Sequence, residues 1–204
     1  MRHCPGATCS VDSRITELHC IMPMGNILSV LAHGILSYES TARLPHASVA
    51  MAEVQERRDR KQVPGGLRLH QYANLYFHAR NPMLYARLAQ ASALCVLRVS
   101  CDVLALPGVV LTDQNAAGDY VRFLAPGQIS EIDMDLVYAE DWRDPDRITY
   151  FRRKAAKCAE VLVPHQVPSG FLVGAHVVDA AARDKLSALG FTLPVSVNPA
   201  LFFR

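Results

Sequence analysis

Stretches that read as strand and stretches that read as helix follow one another in this chain without regular alternation, and that property removes most mixed architectures. Short apolar or alternating runs at residues 15–21, 72–78, 94–99, 109–111, 120–124, 160–163 and 171–178 predict strands. The spacing of Ile27, Leu28, Leu31 and Ile35 predicts a helix opened by Gly25-Asn26, with Gly34 as a weak point near its end. Residues 49–60 predict a second helix, apolar at Val49, Met51 and Val54, whose last turn is crowded with Arg57, Arg58, Arg60 and Lys61. Pro82 suits the first turn of a third helix, which carries Met83, Leu84, Tyr85 and Leu88. Residues 131–140 and 179–189 predict short helices, and 195–203 an extended closing segment. A doubly wound parallel sheet needs strand and helix to take turns. The pattern therefore predicts an α+β fold, with two sheets around one core and no internal repeat.

With 204 residues, half of them apolar and a fifth charged, the chain suits one globular domain, predicted over 14–204 behind a flexible leader at 1–13. The longest apolar runs, such as 93–99 with Arg98 inside it, are too short to span a bilayer, and the N-terminus lacks the apolar stretch of a secretory signal. A net charge of +2 does not announce a nucleic-acid binder; only local clustering can. Six cysteines, at 4, 9, 20, 95, 101 and 158, form no Cys-x-x-Cys pair, and Cys4, Cys9, His19 and Cys20 do not have the spacing of a zinc site. Free thiols in a reducing cytoplasm, and no metal site, are expected. No Gly-x-Gly-x-x-Gly follows a strand and no P-loop lysine exists, so any nucleotide is held some other way.

Within Lys157-Cys158-Ala159-Glu160-Val161-Leu162-Val163-Pro164, Glu160 and Leu162 alternate with Val161 and Val163, so one carboxylate is presented from an apolar strand. Taken alone, a strand carboxylate more often points into water. The same restraint applies elsewhere: His19 to a satisfied core histidine, Tyr76 and Tyr85 to core aromatics, Arg58 to a helix-end charge, and residues 112–115 to a turn.

The ordered set carries more. His19-Cys20-Ile21-Met22-Pro23, Val54-Gln55-Glu56-Arg57-Arg58, Val63-Pro64-Gly65-Gly66, Leu75-Tyr76-Phe77-His78-Ala79-Arg80-Asn81-Pro82-Met83-Leu84-Tyr85, Thr112-Asp113-Gln114-Asn115-Ala116 and Lys157-Cys158-Ala159-Glu160-Val161-Leu162-Val163 occur in the order and spacing of one family. The chain resembles the DarT toxins, which transfer ADP-ribose from NAD to bases in single-stranded DNA, over most of its length.

That resemblance implies the ADP-ribosyltransferase fold, with split antiparallel sheets and flanking helices around an NAD cleft. It implies Glu160 and Arg58 as catalytic residues, and His19, Tyr76, Met22, Asn26, Arg57 and Tyr85 as contacts of the co-substrate NAD. His19 would hold the adenosine ribose and Tyr76 would lie near the nicotinamide. Breaking the nicotinamide–ribose bond develops oxocarbenium character, which a fixed carboxylate stabilises. Arg58 cannot serve as a base at neutral pH, so its role is to orient phosphate or polarise the base. Single-stranded DNA would meet Arg80, Arg147, Arg153 and Lys154, within basic segments at 57–61, 68 and 147–157. A macrodomain antitoxin or another ADP-ribosyl hydrolase is the implied partner. Met22 stands where many members have a threonine, and Ala73-Asn74-Leu75 where many thymine-modifying members have Val-Pro-Phe, which leaves both thymine and guanine as acceptors. Transfer to RNA or protein is the alternative.

Overall fold

A computed structural model describes residues 12–42 and 44–204. Most of the predicted leader, with Cys4 and Cys9, lies outside the described residues; of its last two positions, Asp12 is ion-paired to Arg14 at 2.5 Å. The elements in chain order are β1 (Leu18–Pro23), α1 (Ile27–His33), β2 (Ile35–Leu36), α2 (Tyr38–Thr41), α3 (Ala52–Asp59), β3 (Tyr72–Tyr76), α4 (Pro82–Tyr85) and β4 (Leu94–Val99). There follow β5 (Val110–Thr112), β6 (Phe123–Leu124), α5 (Met134–Tyr138), α6 (Arg147–Ala156), β7 (Glu160–Pro164), β8 (Gln166–Val167), β9 (Leu172–Val177), α7 (Ala180–Ala188) and β10 (Val195–Val197).

Eight strands form one ladder in the order β10-β9-β4-β1-β3-β7-β5-β6, while β2 and β8 pair separately. Every pairing is antiparallel except β10 beside β9. The ladder is uneven. β1 and β4 are joined from Leu18↔Val99 to Pro23↔Leu94, and β3 and β7 from Tyr72↔Pro164 to Tyr76↔Glu160. Between these blocks, β1 meets β3 at the single pair His19↔Tyr76. The α+β class is as expected, but the two expected sheets are instead two blocks of one continuous sheet, divided by a seam.

Local chemistry explains where the elements stop. Gly34 ends α1 at φ +77, and a Cβ there would lie 2.2 Å from the Val167 carbonyl oxygen. The chain consequently leaves the helix before Ile35, which opens β2 against Val167 instead of closing a helical stripe. Asn81 accepts from the Met83 and Leu84 amides at 3.0 and 3.1 Å, capping α4 beside Pro82. That helix is one turn long, and Leu88 falls in the separate 3-10 segment Leu88–Ala93. The second predicted helix begins at Ala52 rather than residue 49, and its apolar Met51 is exposed. The basic run leading to Glu160 is itself a helix, α6, capped by Asp146 through the Thr149 amide at 2.7 Å. The closing segment is β10 followed by a 3-10 turn at Pro199–Phe202. Apolar side chains bury both faces of the central strands: Leu94, Val96, Leu97 and Val99 of β4 have no exposed surface beyond 1 %.

Candidate active site

His19, Tyr76 and Glu160 are register partners in series across three neighbouring strands. Directly opposed residues in a ladder point to the same face, so the three side chains stand in one row. At about 4.8 Å per strand the row spans roughly 10 Å, and it crosses the seam between His19 and Tyr76.

Glu160 has no exposed surface, against the common fate of a strand carboxylate. Its Oε1 accepts the Ala116 amide at 3.0 Å, and Arg58 Nη1 donates to Oε2 at 2.9 Å and to Oε1 at 3.3 Å. The Glu160 amide donates to Thr112 Oγ1 at 3.0 Å, and that hydroxyl donates to the Gln114 carbonyl at 2.7 Å. The turn at 112–118 thus fixes the strand start and the carboxylate together. Of the cations crowding the end of α3, Arg58 alone turns inward and is buried, while Arg57 and Arg60 stay exposed. The helix is held over the row by His70, whose Nε2 meets Gln55 at 3.1 Å and whose Nδ1 meets Asp59 at 3.3 Å. Lys61, next in line, donates to the Gly118 carbonyl and pairs with Asp119 at 3.6 Å, so it is engaged by the same turn.

Tyr76 is buried beside the carboxylate. Burial, reinforced by the charge of Glu160, pushes its phenol well above the ordinary value, and the ring stays neutral. His19 Nδ1 faces the Phe77 carbonyl at 3.3 Å and Nε2 faces Glu17 at 3.2 Å. Burial alone would raise Glu17, but its polar contacts with His176, His19 and Arg98 outweigh it and hold the carboxyl far below the usual range.

Lys157 corrects one expectation. It was grouped with the basic segment facing DNA, yet only 1 % of it is exposed. Its ammonium donates to the Val137 carbonyl at 3.0 Å and the Ala139 carbonyl at 2.5 Å, and sits 3.4 Å from His78 Nδ1. Burial lowers Lys157 to about 8 and His78 to about 3. The lysine ties the end of α5 to the residues leading into β7.

The other predicted contacts are spread more widely. Met22 and Asn26 follow His19 on the chain; Asn26 is occupied in both directions with Ala47, donating to its carbonyl at 2.7 Å and accepting its amide at 2.9 Å. Tyr85 is half exposed and packs edge-on to Trp142 and Phe203, with centroids at 5.6 and 5.1 Å. Arg80 lies over the Phe203 ring at 4.1 Å and donates to the Ala200 carbonyl, which fastens it to the C-terminal turn. On α6, Arg147 lies 5.7 Å from the Phe151 ring and Lys154 5.5 Å from that of Tyr150, while Arg153 pairs with Asp144 at 3.2 Å. Phe151 and Ile148 of that helix are exposed. Thr112 and Ala116 lie in a block that carries the family resemblance but has no role assigned to it in the sequence, and Glu17 and His176 are not singled out there. Glu17 sits two residues before His19, hence on the same face, and that spacing was the available signal.

Chemically, the row offers a fixed carboxylate at one end, an imidazole at the other and a neutral aromatic ring between. Such a carboxylate stabilises positive charge developing near it, once a ligand has displaced the guanidinium that covers it.

A family model described as "ssDNA thymidine ADP-ribosyltransferase, DarT" matches residues 19–203. A DNA ADP-ribosyl transferase of Thermus sp. is 30% identical over 202 residues, covering 93% of this chain and 94% of that protein. A DNA ADP-ribosyl transferase–DNA ADP-ribosyl glycohydrolase fusion protein of Thermosipho africanus is 29% identical over 203 residues; the match covers 93% of this chain and 50% of the fusion, so the chain spans about half its length. The Thermus sp. 2.9 DarT solved with ADP-ribosylated ssDNA superposes with a TM-score of 0.82 at 23% identity, covering 94% of this chain and 98% of that one. The same protein with NAD+ gives 0.77 at 21% identity, again over 94% and 98%. At those identities the two structures speak for the fold.

Proposed function

This chain belongs to the DarT family of ssDNA thymidine ADP-ribosyltransferases, and from that membership we propose that it transfers ADP-ribose from NAD to thymine in single-stranded DNA, releasing nicotinamide. The observation that carries the reading is the single row of His19, Tyr76 and Glu160 with Arg58 on the carboxylate. Its span suits a dinucleotide lying across the seam. In this reading His19 holds the adenosine ribose and the Tyr76 ring lies against the nicotinamide. A cationic pyridinium is attracted to an aromatic face, and the neutral phenol adds no competing charge.

Glu160 faces the ribose carbon as the bond to nicotinamide breaks. The electron pair leaves with nicotinamide, the base nitrogen attacks the sugar, and its proton is released. Arg58 must leave Glu160 for the ribose to approach, which frees the guanidinium to orient phosphate or polarise the base. Met22, Asn26, Arg57 and Tyr85 complete the nucleotide surroundings. Arg147, Arg153 and Lys154 on α6, with Arg80, meet the strand's phosphates, and the exposed Phe151 offers a face on which a base can stack. A base in a duplex cannot reach a buried carboxylate, so the substrate is unpaired.

The fusion of a DNA ADP-ribosyl transferase to a glycohydrolase in T. africanus supports a toxin whose mark is removed by a partner hydrolase. We place its action in the cytoplasm, as one transferase domain at 14–204, in defence against phage. Among the described residues no helix is long and apolar enough to cross a membrane.

The test uses single-stranded oligonucleotides each lacking one base, incubated with NAD and the purified chain, and read by mass spectrometry. An ADP-ribosyl adduct on every oligonucleotide except the one without thymine is expected. An adduct that persists there, or label found only on RNA or protein, would overturn the assignment. Glu160→Gln should lower the rate by about a hundredfold to a thousandfold with the fold retained.

A further inference from the structure

Glu17, His19 and His176 bring three metal-binding atoms together on the face of the sheet that carries the row. Glu17 Oε1 lies 3.2 Å from His19 Nε2 and 3.1 Å from His176 Nε2, and the three atoms lie within 4.8 Å of one another. Ligand atoms bound tetrahedrally to one zinc ion at its usual bond lengths are roughly 3.3 Å apart. The two separations from Glu17 are therefore close to those of a zinc site, and the third lies within 4.8 Å.

Hydrogen-bond accounting points the same way. The Phe77 carbonyl only accepts, so at 3.3 Å His19 Nδ1 carries the proton that bonds to it. In a neutral imidazole, Nε2 then turns a lone pair towards Glu17 Oε1, lone pair against lone pair. Either a second proton or a cation must lie between them. His176 Nδ1 is buried without a partner among the described residues, so its tautomer is free to follow whatever sits at Nε2.

The outer contacts are those of metal ligands. A backbone carbonyl orients His19 through Nδ1, and Arg98 Nε holds Glu17 Oε2 at 2.7 Å, leaving Oε1 for the cluster. Gly174, opposite Arg98 in the ladder, leaves room for this: a Cβ there would come 3.2 Å from Arg98 Nη1.

We propose that Glu17, His19 and His176 form a binding site for a divalent transition-metal ion of the zinc type, and that filling it withdraws His19 from NAD. Two imidazoles and one carboxylate select zinc or cobalt over magnesium and calcium, which prefer oxygen ligands. The second clause rests on the assignment of His19 to the nucleotide; the first does not.

The test starts from chelator-treated full chain and follows Zn²⁺ by equilibrium dialysis, with Mg²⁺ as control. One zinc per chain is expected, with affinity lowered at least about tenfold in His176→Ala and in Glu17→Gln. Zinc should raise the melting temperature of the unmodified chain and not that of the variants, whose metal-free melting also reports whether they fold. If His176→Ala does not fold, His176→Gln replaces it. Bound Co²⁺ should show visible ligand-field bands without a thiolate charge-transfer band. No zinc uptake, undiminished uptake in both variants, or a thiolate band would overturn the site. Each protein's NAD turnover is then compared with its own metal-free rate. Zinc should inhibit the unmodified chain and spare the variants. Zinc bound at the triad with turnover unchanged would leave the site standing and overturn the competition with NAD.

Discussion

Arg58 and Glu160 differ in what each can do when its partner is removed. Glu160 is pinned by β3 and β5 on either side, whereas Arg58 ends a helix on a long stem and can swing into water, where a cation at a helix C-terminus is welcome. Arg58→Met therefore strands a buried carboxylate on one amide and should cost about 3 kcal/mol, while Glu160→Gln should cost nearer 1 kcal/mol. Urea unfolding at neutral pH measures both; equal losses would show that Arg58 is as confined as its partner. Lys157 gives a second residue-level test. Its folded pKa of about 8 lies below the ordinary 10.5, so between those values the unfolded chain holds a proton that the folded chain has lost, and stability rises with pH. The thiols of Cys95 and Cys158, raised to about 12 by burial, act in the opposite sense in that range. The difference between the parent and Lys157→Met isolates the lysine: the variant should lose the rising contribution, and an unchanged slope from pH 8 to about 10.5 would sink the account. In sequence, Lys157 merges with a run of solvated cations, because nothing nearby in the chain announces the carbonyls of residues 137 and 139. Glu160 was legible only as a carboxylate on an apolar strand. That it is covered depends on Arg58, 102 positions earlier.

Elements were easier to read than their ends. The strand at residues 94–99 matches β4, and Asn81-Pro82 marks the start of α4 because both residues act locally. The end of α1 was misplaced for a reason outside the helix. Ile35 continues its apolar spacing, but the Val167 carbonyl, far along the chain, stands where a side chain on residue 34 would be. Gly34→Ala should accordingly destabilise by at least about 1 kcal/mol, through both the positive φ and the clash. Thermal melting checks it, and an unchanged Tm would mean that β8 yields easily at that point. The seven-residue α1 and the four-residue α2 and α4 are too short to persist alone. Their stability comes from what they pack on, so their local patterns were weak guides to length.

At the scale of the molecule, the fold class followed from the lack of alternation, but the row did not. His19 and Tyr76 are 57 positions apart and Tyr76 and Glu160 another 84, and no local pattern reports a register between segments so distant. The outer strands matter to that register: β9 completes the far side of β4, and Leu172, Ala175, Val177 and Phe202 are core residues contributed after β8. A chain ending at residue 167 keeps His19, Arg58, Tyr76 and Glu160 and should nonetheless fail to turn over NAD, with circular dichroism showing the loss of the sheet. Retained turnover would show that the half of the sheet bearing His19 stands without its edge. The path of the chain gives this a biological edge. It passes back and forth between the two blocks of strands, from β1 to β3, to β4, to β5 and from β7 to β9, so the block that bears Glu160 has its last strand in β7, and the block that bears His19 is completed only by β9 and β10. A polypeptide still emerging from a ribosome would hold His19, Arg58, Tyr76 and Glu160 and yet lack the strands that brace the His19 block until β9 and β10 had followed.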